Sequence, residues 1–136
     1  MGKFAFIAAL VFFASPVIAE KGDIYTCKFK VKLGQFLTEQ VIVGVGHTSS
    51  RAMVYDGMIH YAHGKPIEAN IFQNDQKRIA LRWSVSVKDS NGSAAKVKML
   101  LTYIKKNGRA SLSSNVAGYA NHDGAQGRCK KSVGDV

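Results

Sequence analysis

The sequence has few of the residues that enzyme sites need. Its 136 residues include only two cysteines, with no C-x-x-C pair, which excludes a thioredoxin-like redox site. Only nine residues are acidic, and no two carboxylates stand where the sequence would place them together, as a glycosidase requires. No serine lies in a G-x-S-x-G context. We therefore expect that the protein is not an enzyme.

Long apolar runs are absent except at the N-terminus, where Phe4–Ala14 (FAFIAALVFFA) follows Lys3. A short positive start, an apolar run and a small-residue end at Ala19 are typical of a secretory signal peptide. The run is too short to span a bilayer comfortably, which disfavours the alternative of an uncleaved membrane anchor. We expect residues 1–19 to be cleaved, leaving residues 20–136 as one periplasmic or secreted domain that does not span the membrane.

An oxidising compartment changes the interpretation of the two cysteines. Cys27 and Cys129 lie near the two ends of the mature chain. In an exported protein, two cysteines are most simply a disulfide. The bond would close a loop of roughly a hundred residues, with a Cα separation of about 4.4–6.8 Å. We predict a Cys27–Cys129 disulfide.

Helical periodicity is also absent, and strand periodicity is present throughout the second half. Apolar and polar residues alternate along Ile79–Lys88, and two further strand-like runs follow. The turn sequences Asp89–Gly92 and Lys105–Gly108 separate the three runs and predict a meander. The predicted strands are Ile24–Leu33, Gln40–Val45, Arg51–Tyr55, Met58–Tyr61, Ile67–Phe72, Ile79–Lys88, Lys96–Ile104 and Ala110–Val116.

These strands predict an all-β fold. Asp56-Gly57 would join two of the shorter strands as a tight hairpin. If the strand with Cys27 and the segment with Cys129 are neighbours, the sheet closes and has no free edge. We therefore expect a single-domain antiparallel up-and-down barrel of seven or eight strands, with a β-sandwich as the alternative.

Both ends of the mature chain carry a short cysteine motif, Tyr25-Thr26-Cys27 and Gly127-Arg128-Cys129. With the all-β middle, they resemble small exported bacterial β-barrel proteins of the periplasmic c-type lysozyme inhibitor type. The resemblance implies a disulfide-bonded barrel that inhibits a cell-wall hydrolase with an inserted loop. The inhibitory Ser-Gly-x-x-Tyr loop of that family has no counterpart here, and its target enzyme is basic, as this chain is.

Basic residues outnumber acidic ones 19 to nine, and they recur on strand faces. Lysines at alternate positions of the first strand would form one row. Two interpretations follow: the lysines are the solvated face of a sheet, or several strands combine them into a patch for an anionic ligand or envelope polyanion. The candidate ligand-binding residues are Lys28, Lys30, Lys32, Arg82, Lys96 and Lys98.

Other partners are less well supported by the sequence. Phe29, Trp83 and Tyr103 fall on inward positions, so no aromatic platform accompanies the lysines and nucleic acid is disfavoured. We expect an exported, non-catalytic binding protein for an anionic ligand, an envelope component or a protein partner. Inhibition of a cell-wall hydrolase such as lysozyme is the alternative.

The histidines do not form a metal-binding motif. His60 and His63 would point to opposite faces of a strand, so they could share a metal only across a turn at Gly64, with His47 upstream. His122 lies in the glycine-rich stretch 118–127, which reads as a loop. We expect no metal and no cofactor.

Overall fold

The computed structural model describes residues 20–88, 90–120 and 122–136. The predicted signal peptide, residues 1–19, lies outside this part of the chain. Within it, the single helix is too short to cross a membrane. The elements in chain order are β1 (Lys21–Phe29), β2 (Gln40–Gly46), β3 (Ala52–Asp56), α1 (Gly57–His63), β4 (Ile67–Asn74), β5 (Arg78–Lys88), β6 (Ala94–Ile104), β7 (Arg109–Val116) and β8 (His122–Asp135).

The eight strands form one closed antiparallel barrel, in which each strand pairs with the next and β8 pairs with β1. The barrel prediction is confirmed, and the sandwich alternative is wrong. Alternate side chains of each strand fill the interior, because successive residues of a strand point to opposite faces. The largest fully buried side chains of the interior are Ile59, Leu81, Met99, Leu101 and Leu112.

The predicted disulfide is confirmed, and it lies across the seam where the barrel closes. Cys27 on β1 is directly opposite Cys129 on β8. Their Cα separation of 3.9 Å is shorter than expected. Cys129 donates its backbone N–H to Gly108 on the other side of β8, at 2.9 Å. The cysteines are therefore a non-hydrogen-bonded pair, the closer of the two antiparallel pair types.

The predicted meander is confirmed as β5, β6 and β7. Both turns contain a glycine in the left-handed region, Gly92 with φ 79° and Gly108 with φ 73°. Asp89, the first residue of the first predicted turn, lies outside the described residues. Turn chemistry and period-2 alternation therefore predict the same three strands.

The predicted strand Met58–Tyr61 is wrong, because this segment is the helix α1. Asp56 caps the helix: its carboxylate Oδ1 accepts a hydrogen bond from the backbone N–H of Ile59, at 2.8 Å. Gly64 ends the helix in the left-handed conformation. The pair Asp56-Gly57 is thus a helix start and not a hairpin turn, since an aspartate at the N-cap satisfies a free backbone N–H.

Replacing Asp56 with alanine should lower the free energy of unfolding by about 0.5–2 kcal/mol, the usual cost of losing an N-cap. The side chain is buried and also accepts a hydrogen bond from the Thr38 hydroxyl at 3.1 Å, so the larger end of that range is expected. Chemical denaturation measures the change. An unchanged unfolding midpoint would show that α1 does not depend on its cap.

The two largest remaining differences from the prediction are the glycine-rich stretch and the end of β1. The glycine-rich stretch 118–127 is not all loop, because its second half begins β8, which pairs with β7 and then with β1. Hydrogen bonding to β7 and β1 keeps β8 extended, although its glycines interrupt the alternating pattern that would predict a strand. β1 ends at Phe29 and not at Leu33, because the chain turns at Leu33 and Gly34, where the Gln35 N–H donates to the Lys32 carbonyl at 3.2 Å.

Candidate functional site: a basic groove

The three lysines of the first predicted strand do not form one row. Lys28 lies on β1 with its side chain exposed, but Lys30 and Lys32 follow the end of the strand. Lys30 still pairs through its backbone N–H with Gln126 on the β8 side, at 3.0 Å. Lys32 lies in the turn that leads to β2. The row predicted from alternation therefore reduces to Lys28 with Lys30 close beyond it.

The other predicted cations are not neighbours of Lys28. Arg82 lies on β5, four strands from β1 and so on the opposite side of the barrel, where its guanidinium lies 5.4 Å from the Phe72 ring centroid. Lys98 on β6 is in register with Asn115 on β7, which is in register with His122 on β8. Lys28 is in register with Arg128, six residues beyond His122 on β8. Along the strand this separates the two positions by roughly 20 Å.

Lys96 lies on the same exposed face of β6, two residues from Lys98. The structure thus divides the six predicted residues into two locations. Arg82 lies opposite Leu100 on β6, two residues from Lys98, so Arg82, Lys96 and Lys98 share one outward face of the adjacent strands β5 and β6. The other three lie at or beyond the end of β1, and of these Lys28 and Lys30 line a common groove.

These two lysines meet two arginines that were not predicted. Arg128 on β8 is directly opposite Lys28 on one side and Arg109 of β7 on the other. All three side chains are exposed, so the same outward face carries three cations in adjacent strands, with backbones about 4.8 Å apart. With Lys30 they line a groove of about 530 Å³. We call this the basic groove, and its lining residues are Lys28, Phe29, Lys30, Arg109, Gln126, Gly127 and Arg128.

The cations of the basic groove have no acidic partners. Among the described residues, no carboxylate forms an ion pair with Lys28, Lys30, Arg109 or Arg128. Arg128 donates from Nη1 to the backbone carbonyl of Asn107 at 3.3 Å, which fixes one side of its guanidinium. Like charges directly opposite in a sheet destabilise it. The groove therefore concentrates positive charge that the fold itself does not use.

Gly127 allows the backbones to come together at the groove. A Cβ built on this residue would lie 1.9 Å from the backbone carbonyl oxygen of Lys28, a distance that no side chain can accommodate. The glycine lies opposite Phe29 on one side and Ala110 on the other, where β8 changes partners from β7 to β1. This close approach brings cations of three strands onto one patch of surface.

Sequence reasoning could have found one of the two arginines. If Cys27 is directly opposite Cys129 in an antiparallel pair, then Lys28 must be opposite Arg128. The predicted disulfide therefore already implied that Lys28 and Arg128 are neighbours. Arg109 could not be found in the same way, because its position depends on the register between β7 and β8, and β8 was not predicted as a strand.

A second polar region lies at one mouth of the barrel and contains a cavity of about 350 Å³. Its lining includes Asp23, Tyr25, His47, Tyr103 and Lys131. His47 Nε2 donates to Asp23 Oδ1 at 2.9 Å, and Lys131 Nζ lies 3.5 Å from Asp23 Oδ2. The hydrogen bond from His47 lowers the pKa of Asp23, against the effect of burial. Burial raises the pKa of Tyr25 to about 12. Asp23, the one carboxylate among these groups, is therefore already paired.

The remaining histidines have local roles. His60 and His63 lie on α1, and His60 Nδ1 is hydrogen-bonded to the Tyr55 hydroxyl. Across residues 20–88, 90–120 and 122–136, no group of three or more histidine, cysteine, aspartate or glutamate side chains could hold a metal ion.

In comparisons with known proteins, no family model, no curated protein and no solved structure matches this chain. The resemblance to the lysozyme inhibitors therefore stays a prediction.

Proposed function

We propose that the protein is an exported, non-catalytic binding protein that holds an anionic ligand in the basic groove. The observation that carries this proposal is the register of Arg109, Arg128 and Lys28, three directly adjacent cations with no acidic partner among the described residues. The Cys27–Cys129 disulfide supports a periplasmic or secreted location, because such bonds persist in oxidising compartments.

The chemistry of the groove favours phosphate or another oxyanion as the bound group. Two guanidinium groups can each donate a pair of hydrogen bonds to one oxyanion, and the ammonium groups of Lys28 and Lys30 add compact charges beside them. A ligand with several anionic groups at close spacing would relieve the repulsion among the four cations. The absence of carboxylates in the groove suits an anionic ligand and not a cationic one.

Replacing Arg109 and Arg128 together with glutamine should weaken binding to a soluble linear polyphosphate. The slope of log affinity against log salt should fall by about one for each cation removed from the contact. Isothermal titration across a salt series measures both quantities. Thermal unfolding of the variant should be no less cooperative than that of the wild type, because both side chains are exposed.

The matched control is the variant in which Lys96 and Lys98 are both replaced with glutamine. It removes the same number of charges from an exposed strand face elsewhere on the barrel. Its affinity should fall slightly, through net charge alone, and its slope should stay close to that of the wild type. Equal losses in the two variants would show that polyphosphate responds to net charge and not to the groove.

A further inference from the structure

The loop that joins β1 to β2, residues 30–39, exposes apolar side chains beside the basic groove. Leu33 at its tip is fully exposed, and Phe36 is 47% exposed. Lys30 and Lys32 precede the tip, and both are exposed. A leucine without protein contacts and a half-exposed phenylalanine are unfavourable in water. Their place next to a cluster of cations calls for a partner that is both apolar and anionic.

Two hydrogen bonds attach the second half of this loop to the barrel wall. The backbone N–H of Phe36 donates to Asp123 Oδ2 at 2.7 Å, and Gln35 Nε2 donates to the carbonyl of Gly124 at 3.2 Å. Both partners belong to β8, the strand that carries Arg128. Leu37 packs into the barrel core directly after Phe36. The loop that carries the apolar tip is therefore hydrogen-bonded to the strand that carries part of the basic groove.

We propose that the surface formed by this loop and the basic groove docks on an anionic phospholipid bilayer, with Leu33 and Phe36 inserted among the acyl chains at the level of the headgroups. The proposal rests on the proposed function, because the lipid phosphates are then the anions that the basic groove holds. Apolar side chains flanked by lysines and arginines are the pattern of an interfacial membrane anchor. Each nearby cation adds attraction to a negatively charged leaflet.

Charge and size favour a bilayer over a protein occupant. Lysine is depleted in the centres of protein interfaces, yet Lys30 and Lys32 lie in this loop directly before its tip, and among the described residues Asp123 is the one carboxylate bonded to the loop backbone there. A specific protein interface needs about 800 Å² on each partner, far more than two apolar side chains supply. A second copy of the chain would bring a second set of unpaired cations to the same place, which repulsion opposes.

Vesicle co-sedimentation tests the proposal, with the mature protein on vesicles of mixed phosphatidylglycerol and phosphatidylcholine. The wild type should bind these vesicles and not pure phosphatidylcholine. The variant L33S/F36S should bind them about tenfold or more weakly, because two side chains no longer leave water. The same variant should bind soluble polyphosphate as the wild type does, since it retains all four cations of the basic groove.

The control variant F72S/L100S also removes one phenylalanine and one leucine. Phe72 is 49% exposed, close to the value for Phe36, and lies beside Arg82, while Leu100 is 38% exposed on β6. Both side chains lie on strand faces away from the loop. This variant should bind the mixed vesicles with the affinity of the wild type.

The outcomes separate this inference from the proposed function. If the wild type binds polyphosphate but not the anionic vesicles, or if L33S/F36S binds the vesicles normally, insertion is wrong and the anion site remains. If R109Q/R128Q binds polyphosphate normally, the proposed function is wrong. If the wild type ignores vesicles and binds c-type lysozyme through Leu33 and Phe36, the loop occupies a protein cleft and the bilayer proposal is overturned.

Insertion itself has a spectroscopic test in the variant L33W. The native Trp83 is buried in the barrel, so its emission should stay constant when vesicles are added. The new tryptophan is exposed in solution and should shift to shorter wavelength on the anionic vesicles. An emission spectrum unchanged by vesicles that bind the protein would show that the tip stays in water.

Discussion

The variant Trp83→Ala should lose about 3–5 kcal/mol of the free energy of unfolding, the cost of removing a large aromatic side chain from a core. Trp83 is 5% exposed and points into the barrel from β5, between the buried neighbours Leu81 and Val85. It lies directly opposite Met99 on β6. The substitution leaves a cavity inside a closed barrel. Because strands surround this cavity, neighbouring side chains can fill little of it, and most of the lost stability is not recovered.

Urea denaturation followed by circular dichroism measures this change, with Trp83→Phe as the matched variant. Phenylalanine keeps an aromatic ring in the core, so its cost should be the smaller of the two. It also removes the indole N–H, which has no hydrogen-bond partner among the described residues. A wild-type unfolding midpoint for Trp83→Ala would contradict the inward placement of this strand face.

Loss of the Cys27–Cys129 disulfide should lower the free energy of unfolding by about 4–5 kcal/mol, because the bond closes a loop of 102 residues. The effect is large because the loop is long, and in the folded protein the cross-link joins β1 to β8, the pair that closes the barrel. Without the disulfide, the unfolded chain regains the conformational entropy that the closed loop removed. The bond is almost fully buried, so replacing both cysteines with alanine also removes some packing.

Denaturation of the oxidised protein, the reduced protein and the C27A/C129A variant checks this expectation. Alkylation without prior reduction should label neither cysteine, and alkylation after unfolding in reductant should label both. Equal stability of the oxidised and reduced forms would show that the barrel closes without help from the bond. Labelling of both thiols in the untreated protein would show that the bond does not form.

The sequence predicted those parts of the fold where side chains repeat with period two. Leu81–Lys88 alternates between inward and outward side chains as predicted, so its strand and its inward face followed directly, whereas Ala80, expected on the outward face, is buried. The expected export and the count of two cysteines predicted the disulfide, and the disulfide favoured closure of the barrel. These inferences succeeded because local pattern and global fold agree in this half of the chain.

The helix α1 and the strand β8 were missed for different physical reasons. Seven residues are too few to show a helical period, and the same Asp-Gly pair that starts many hairpins here caps a helix. β8 contains Gly124, Gly127 and Gly134, which have no side chains to alternate. Its strand state comes from pairing with β7 and β1, which no local pattern records.

Two of the four cations in the basic groove were predicted from the sequence. Lys28 and Lys30 were identified from their alternation, but their expected neighbours Lys96, Lys98 and Arg82 lie three and four strands away. The neighbours that the structure supplies, Arg109 and Arg128, are distant from Lys28 in sequence and meet it only through the register of β8. Alternation fixes the face of a side chain, whereas register fixes its neighbours.

Amide NMR shifts of isotope-labelled residues 20–136, followed during titration with short-chain polyphosphate, locate the anion site on the barrel residue by residue. We expect the largest shifts at Lys28, Arg109, Gly127 and Arg128, and unshifted amides at Lys96 and Lys98. Shifts spread evenly over the exposed lysines, or largest on β5 and β6, would contradict a specific anion site in the basic groove.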